Sequence, residues 1–194
     1  DPISQITLGA EVAYQFGDYR PAVAIERDRS AWGIDIFGTY RFDYAYKPEV
    51  TLEYVRFSGE GDATASTEEY NGWNLLYRGK FWTAYADFRE VVYSTVDTLD
   101  QSGATNSQFI QLKGSMKPLS DLLLEAAFTY LWNEATIPGR STDIGWELDF
   151  TAVYDYTEDV SFNLLAGWFV PGDFYTSPEG ATAADIVSSV KVAF

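Results

Sequence analysis

The sequence predicts an all-β fold, a transmembrane antiparallel up-and-down β-barrel with about eleven strands visible. Such a chain is either a barrel of roughly 10–12 strands or the C-terminal part of one of roughly 16–18 strands. Three observations predict it. Apolar and polar residues alternate at period two over unusually long runs. Short turns alternate with long polar loops. Large aromatics gather near the two ends of each apolar face, with aliphatic residues between them.

The elements follow in order. A strand over about 3–17 puts Leu8, Ala10, Val12, Tyr14 and Phe16 on one face and Glu11 and Gln15 on the other. A turn at Gly17-Asp18 separates it from a strand over about 19–28. The third, over about 31–47, sets Trp32, Ile34, Ile36, Tyr40, Phe42, Tyr44 and Tyr46 against Asp35, Phe37, Arg41 and Asp43. After "KPE" at 47–49 comes a strand over about 50–58 that contains Glu53. Strands over about 70–78 and 81–94 follow the acidic loop 59–69, with "RGK" between them.

Beyond a second loop at 95–105, strands run over about 106–117 and 121–133, joined by "KPLSD". The latter opposes Leu122, Leu124, Phe128, Tyr130 and Trp132 to Glu125 and Thr129. "TDIGWELDFTAVYDY" within the strand 141–156 divides most sharply. Ile144, Trp146, Leu148, Phe150, Ala152, Tyr154 and Tyr156 share one face; Asp143, Glu147, Asp149 and Asp155 share the other. Strands over about 160–171 and 184–194 close the chain, the last with Asp185 and Lys191 opposite Ile186, Val190, Val192 and Phe194.

A soluble β-sandwich would use the apolar faces as its core. Ordinary strands have about five or six residues, and a tilted membrane strand about nine to eleven. Several strands here are longer than both. A soluble core also gives no reason to sort aromatics by depth. Trp32, Trp132, Trp146 and Trp168 fall near the long loops; Tyr44, Tyr46, Tyr154, Tyr156 and Phe194 fall near the short turns. These form the two expected aromatic girdles. The apolar face therefore meets outer-membrane lipid and the polar face meets water. One domain, 1–194, is expected, with the short turns periplasmic and no spanning helix. An odd count of eleven leaves either one strand too many or too few, or a C-terminal portion of a larger barrel, since bacterial barrels have even numbers.

Composition narrows function. With 13 basic against 29 acidic residues and a formal charge of -16, the chain is unsuited to nucleic acid or to docking on anionic lipid. It has no His and no Cys, which removes the commonest general base, nucleophile systems and thiolate metal sites. No enzyme activity, cofactor or metal is expected. Glu147 and Asp149, about 7 Å apart along one strand, have the residue types of an acid–base pair, but the same spacing arises wherever polar residues line a wall. "GEGDATASTEE" lacks the spacing of a calcium loop.

"STDIGWELDFTAVYDYTEDVSFNLLAGWFVPGDF" (141–174) resembles the C-terminal end of the bacterial alginate-export family of outer-membrane barrels. The resemblance rests on Ile144-Gly145 with Glu147-Leu148-Asp149, and on Phe169 with Pro171-Gly172-Asp173-Phe174. "EVAYQFGDYRPAVAIERDRS" (11–30) is similar to that family's strand-turn-strand, in which Arg20-Pro21 opens the returning strand. The resemblance implies a large barrel that exports an anionic polysaccharide through a basic lumen. The terminal Phe194 after Val190 and Val192 is similar to the signal read by the barrel-assembly machinery.

Parity assigns Glu11, Asp35, Arg41, Asp43, Glu53, Glu125, Asp143, Glu147, Asp149, Asp155, Asp185 and Lys191 to the pore lining, ten acidic and two basic. A field of that sign favours cations or neutral solutes. Phe37, Leu165 and Phe169 face the same way, either as a constriction or packed under an inward-folded loop. The expected function is a channel or porin that passes a hydrophilic solute or polysaccharide without a chemical step. The alternative is a structural or adhesive barrel whose outer loops bind a partner.

Overall fold

A computed structural model of the chain describes residues 4–19, 26–60, 69–74, 105–175 and 180–194. It contains nine strands: β1 (Ile6–Tyr19), β2 (Arg27–Arg41), β3 (Glu49–Phe57), β4 (Glu69–Tyr70), β5 (Ser107–Leu119), β6 (Leu122–Trp132), β7 (Asp143–Asp155), β8 (Val160–Pro171) and β9 (Ala183–Val192). All belong to one sheet. Its path β1-β2-β3-β5-β6-β7-β8-β9 is antiparallel throughout, and β4 adds a two-residue parallel pairing to β2. Among the described residues no helix is present.

Strand formation follows from the alternation, and the faces settle which side is hidden. Leu8, Val12, Phe16 and Ile186 are exposed at 79, 62, 80 and 74 %. Glu147 and Thr129 on the opposite face are exposed at 0 %. The sheet therefore hides its polar face and presents its apolar one. Water-soluble proteins do the reverse, and an apolar surface of this extent is stable only against lipid or another apolar partner.

The two ends of the sheet differ. At the short-turn end, β2 and β3 are joined through residues 42–48, with Lys47 at φ 45° and its N–H donating to the Tyr44 carbonyl at 2.9 Å. β5 turns into β6 between the paired residues Leu119 and Leu122. β7 turns into β8 with the Tyr156 N–H donating to the Val160 carbonyl. The opposite, long-loop end carries the connections that span 58–106, 133–142 and 172–182. Ile6 of β1 pairs with Tyr40 and Val192 of β9 with Val160, so β1 starts and β9 finishes at the short-turn end.

Two expectations are corrected. Gly17-Asp18 is no turn. β1 runs through it, with Gly17 opposite Arg29 and Asp18 opposite Asp28. Gly17 adopts φ 117°, which glycine tolerates inside a strand. Of the separate strand expected over 19–28, Tyr19 belongs to β1 and Arg27 and Asp28 to β2, and 20–25 lie outside the described residues. Of the strand over 70–78, only Tyr70 lies in β4 and 71–74 are not strand. The remainder, and the whole of 81–94, lie outside the described residues. β3 pairs directly with β5 from Glu49↔Ser115 to Phe57↔Ser107, so the wall continues without the intervening chain. Eight long strands remain among the described residues, an even number.

Candidate functional site: the inner face of the sheet

The hidden face is organised in rows that cross the strands. Following the pairing, one row runs Gly9–Phe37–Glu53–Gln111–Thr129–Glu147–Phe169–Ala183. The next row toward the short turns runs Thr7–Thr39–Thr51–Lys113–Ala127–Asp149–Gly167–Asp185. The row nearer the long loops contains Glu11–Asp35–Val55–Phe109–Leu131–Gly145. Antiparallel register alone brings these residues together from six or eight strands.

Polar groups in the central rows are buried and bonded to each other. The Gln111 amide donates to the Thr129 hydroxyl at 2.9 Å, and the Thr39 and Thr51 hydroxyls lie 2.8 Å apart. Glu53, Glu147 and Asp149 are buried beside them. Nearer the short turns, the pairs are more open. Lys113 Nζ lies 3.7 Å from Glu125. Arg41 donates to Glu49 at 3.0 Å and to the Thr7 hydroxyl at 2.7 Å.

The other residues assigned to the lining by parity are spread over the same sheet. Glu11 is exposed and directly opposite the half-buried Asp35. Asp185 is half-buried opposite Gly167. Asp155 and Lys191 are exposed and both lie opposite Ser161. Asp43 sits in the turn beyond β2. Asp143 follows a different geometry. The register between β6 and β7 shifts there, so that Asp143 lies opposite Trp132 while Leu131 faces Gly145. Its carboxylate accepts the Tyr130 hydroxyl at 3.0 Å, beside the outward aromatics. Ile144, counted by parity with the outward residues, is instead buried. The bulge needs Gly145, whose φ is 128° and whose missing Cβ would overlap the Val170 carbonyl.

Phe37 lies over Gly9, where a side chain on Gly9 would collide with its ring. Leu165 is half-buried between Thr151 and Val187. Phe169 is buried within a cluster formed with Val55, Phe57, Phe109, Leu131, Ile144 and Phe174, against which Trp73, Ile137 and Tyr175 pack. This cluster occupies the long-loop end of the inner face.

On the outward face, Trp32 lies 4.4 Å from Tyr14, Trp132 5.6 Å from Tyr130, Trp146 5.9 Å from Phe128 and Trp168 6.0 Å from Phe150, all between ring centroids. Tyr44 follows Phe42 at 6.4 Å, and Tyr154 precedes Tyr156 at 6.5 Å. Tyr46 and Phe194 are exposed at the short-turn end.

Sequence reasoning missed several inner-face residues. Arg27 and Arg29 lie over the rings of Tyr19 and Tyr70, which stack at 3.7 Å, and Arg27 Nη1 lies 3.5 Å from Glu60. The parity of β2, continued from Arg41 back through Asp35, reaches both arginines, but the turn-like Gly17-Asp18 points to a separate strand over 19–28 and hides this. Trp73 was missed because its segment turns inward, and no local pattern encodes that.

A family model described as alginate export matches residues 2–189. The chain belongs to the alginate export family. Membership places this family member in the bacterial outer membrane and makes it a transport component rather than an enzyme. No curated protein matches the chain. The resemblance drawn from "IGWELD" and "PGDF" thus extends to nearly the whole sequence.

Proposed function

We propose that residues 1–194 form one domain, the wall of a closed transmembrane up-and-down β-barrel, and that it conducts hydrophilic solutes or a polysaccharide passively through a polar, acidic lumen. The observation that carries this reading is the inversion of the faces, with Glu147 and Thr129 hidden and Leu8, Phe16 and Ile186 exposed. Lipid satisfies the outward face, and the inward rows offer carboxylates, amides and hydroxyls to a hydrated solute.

Closure is a requirement of the medium. β1 and β9 terminate the sheet path, and a free edge in hydrocarbon would leave unsatisfied backbone groups that each cost several kcal/mol. β1 and β9 run in opposite directions, so each edge suits an antiparallel partner strand in one continuous wall. The pore lining is Glu11, Asp35, Arg41, Asp43, Glu53, Glu125, Glu147, Asp149, Asp155, Asp185 and Lys191, with Asp143 at its outer rim. The partners are outer-membrane lipid, the hydrophilic cargo and, through the strand that ends in Phe194, the barrel-assembly machinery.

Conductance of the reconstituted protein in planar bilayers tests this. Open channels with cation preference are expected from the excess of carboxylates. Anion selectivity would remove the electrostatic half of the reading. Complete absence of current, in wild type and in variants that widen the lumen, would remove the channel.

A further inference from the structure

We propose that permeation through this wall is set by an apolar collar at its long-loop end, with Trp73 as the residue that closes it. The inference rests on the channel reading above and adds a location and a chemistry for its resistance.

Val55, Phe57, Phe109, Leu131, Ile144 and Phe169 come from five adjacent strands, β3 and β5 to β8, and form one buried apolar cluster on the inner face. Val55, Phe109 and Leu131 lie immediately beyond the polar row of Glu53, Gln111, Thr129 and Glu147, and Phe169 continues that row on β8. From β3 to β8 the inner face therefore has one dry stretch, while Asp35 and Glu11 continue its row over β2 and β1. Side chains from three connections cover it: Trp73, Ile137, and the pair Phe174 and Tyr175. Hydrophobic constrictions impede ions by dewetting, because an ion that enters must lose water without gaining protein ligands.

Trp73 is positioned by contacts that have no other evident purpose. Its N–H donates to the Ser58 carbonyl at 2.9 Å. Its neighbour Asn74 is gripped from both sides by Gln15 of β1, whose amide donates to the Asn74 carbonyl at 2.5 Å and accepts the Asn74 N–H at 2.9 Å. The indole lies against β2 at Gly33, where an added Cβ would meet its ring atoms at 3.1–3.3 Å. Its ring centroid is 5.8 Å from that of Phe57. Gly33 is thus the seat of the indole, and Gln15 holds the backbone that delivers it.

The test is unit conductance of the full chain in planar bilayers. Heat-modifiable migration of each variant serves as the check of folding. Trp73→Ala should raise unit conductance about two-fold or more, and Gln15→Ala, which removes both side-chain hydrogen bonds that hold Asn74, should act in the same direction. Trp73→Phe should stay near wild type. If Trp73→Ala does not fold, Gln15→Ala carries the test. The chain has no cysteine, so Trp73→Cys offers a unique thiol. Coupling a benzyl group to it should restore low conductance, and coupling a sulfonatoethyl group should not. A conducting wild type with unchanged Trp73→Ala and Gln15→Ala overturns the collar and leaves the channel standing. Equal restoration by both thiol reagents overturns its apolar character. Current in the variants alone supports both readings, and silence in all of them removes both.

Discussion

The long-loop and short-turn ends of the inner face use the same strands for different purposes. At the long-loop end, inner positions on β3 to β8 include Val55, Phe57, Phe109, Leu131 and Phe169, buried under side chains from the connections. At the short-turn end they are Arg41, Glu49, Lys113, Glu125 and Lys191, all half-buried or exposed, and the connections are tight. One end is organised like a small hydrophobic core, the other like a solvated rim. Outward-facing residues show no such contrast, since both ends carry aromatics. Depth along the strand therefore decides side-chain chemistry inside, whereas distance from the interfaces decides it outside.

The sharpest way to break this arrangement is at the bulge that begins β7. Gly145→Ala combines a positive φ with overlap of the Val170 carbonyl, and should cost about 4 kcal/mol. Urea unfolding of the lipid-inserted protein would read this directly, and wild-type stability would show that the bulge can be rebuilt elsewhere. Next in size is a pair of neighbours on opposite faces. Phe150→Arg places a cation in the middle of the outward belt and should cost about 2 to 4 kcal/mol. Thr151→Arg enters the inner face opposite Glu125 and should cost less than about 1 kcal/mol. Equal losses in the same unfolding assay would mean that the two faces do not see different media.

Smaller effects separate the two ends. Ser58→Ala removes a hydroxyl that accepts the Trp32 N–H at 2.8 Å and donates to the Asn71 carbonyl at 2.7 Å. It should cost about 1–3 kcal/mol, visible as faster amide exchange at Trp32 and Trp73 while the short turns stay protected. Exchange that rises uniformly would contradict a local core at the long-loop end. Arg41→Gln, at the solvated end, should cost less than about 1 kcal/mol, because its 3.0 Å pair with Glu49 is half exposed. A loss of several kcal/mol would show that this end is as tightly built as the other.

Much of this was legible in the residues, and the failures have identifiable causes. Alternation placed Leu8 and Trp146 on one face and Glu53 and Glu147 on the other because side-chain direction has period two whatever the strand pairs with. It failed at Asp143 and Ile144, where one extra residue in a bulge reverses parity and only Gly145 hints at it. It also failed at Gly17-Asp18, a dipeptide suited to a turn, which here lies inside the ladder. The apolar cluster was partly legible through Phe169. The packing of Trp73 against it was not, because a loop's direction depends on what it can rest against.

By itself the sequence determined most of the long strands, the two chemically distinct faces and the family, since each is written in local periodicity or in matched motifs. Tertiary structure decided the rest: that β3 pairs with β5, that the rows Glu53–Gln111–Thr129–Glu147 and Val55–Phe109–Leu131 assemble, and that Trp73 turns inward onto Gly33. Those outcomes depend on contacts between residues distant in the chain, whose energies exist only once the strands are in register.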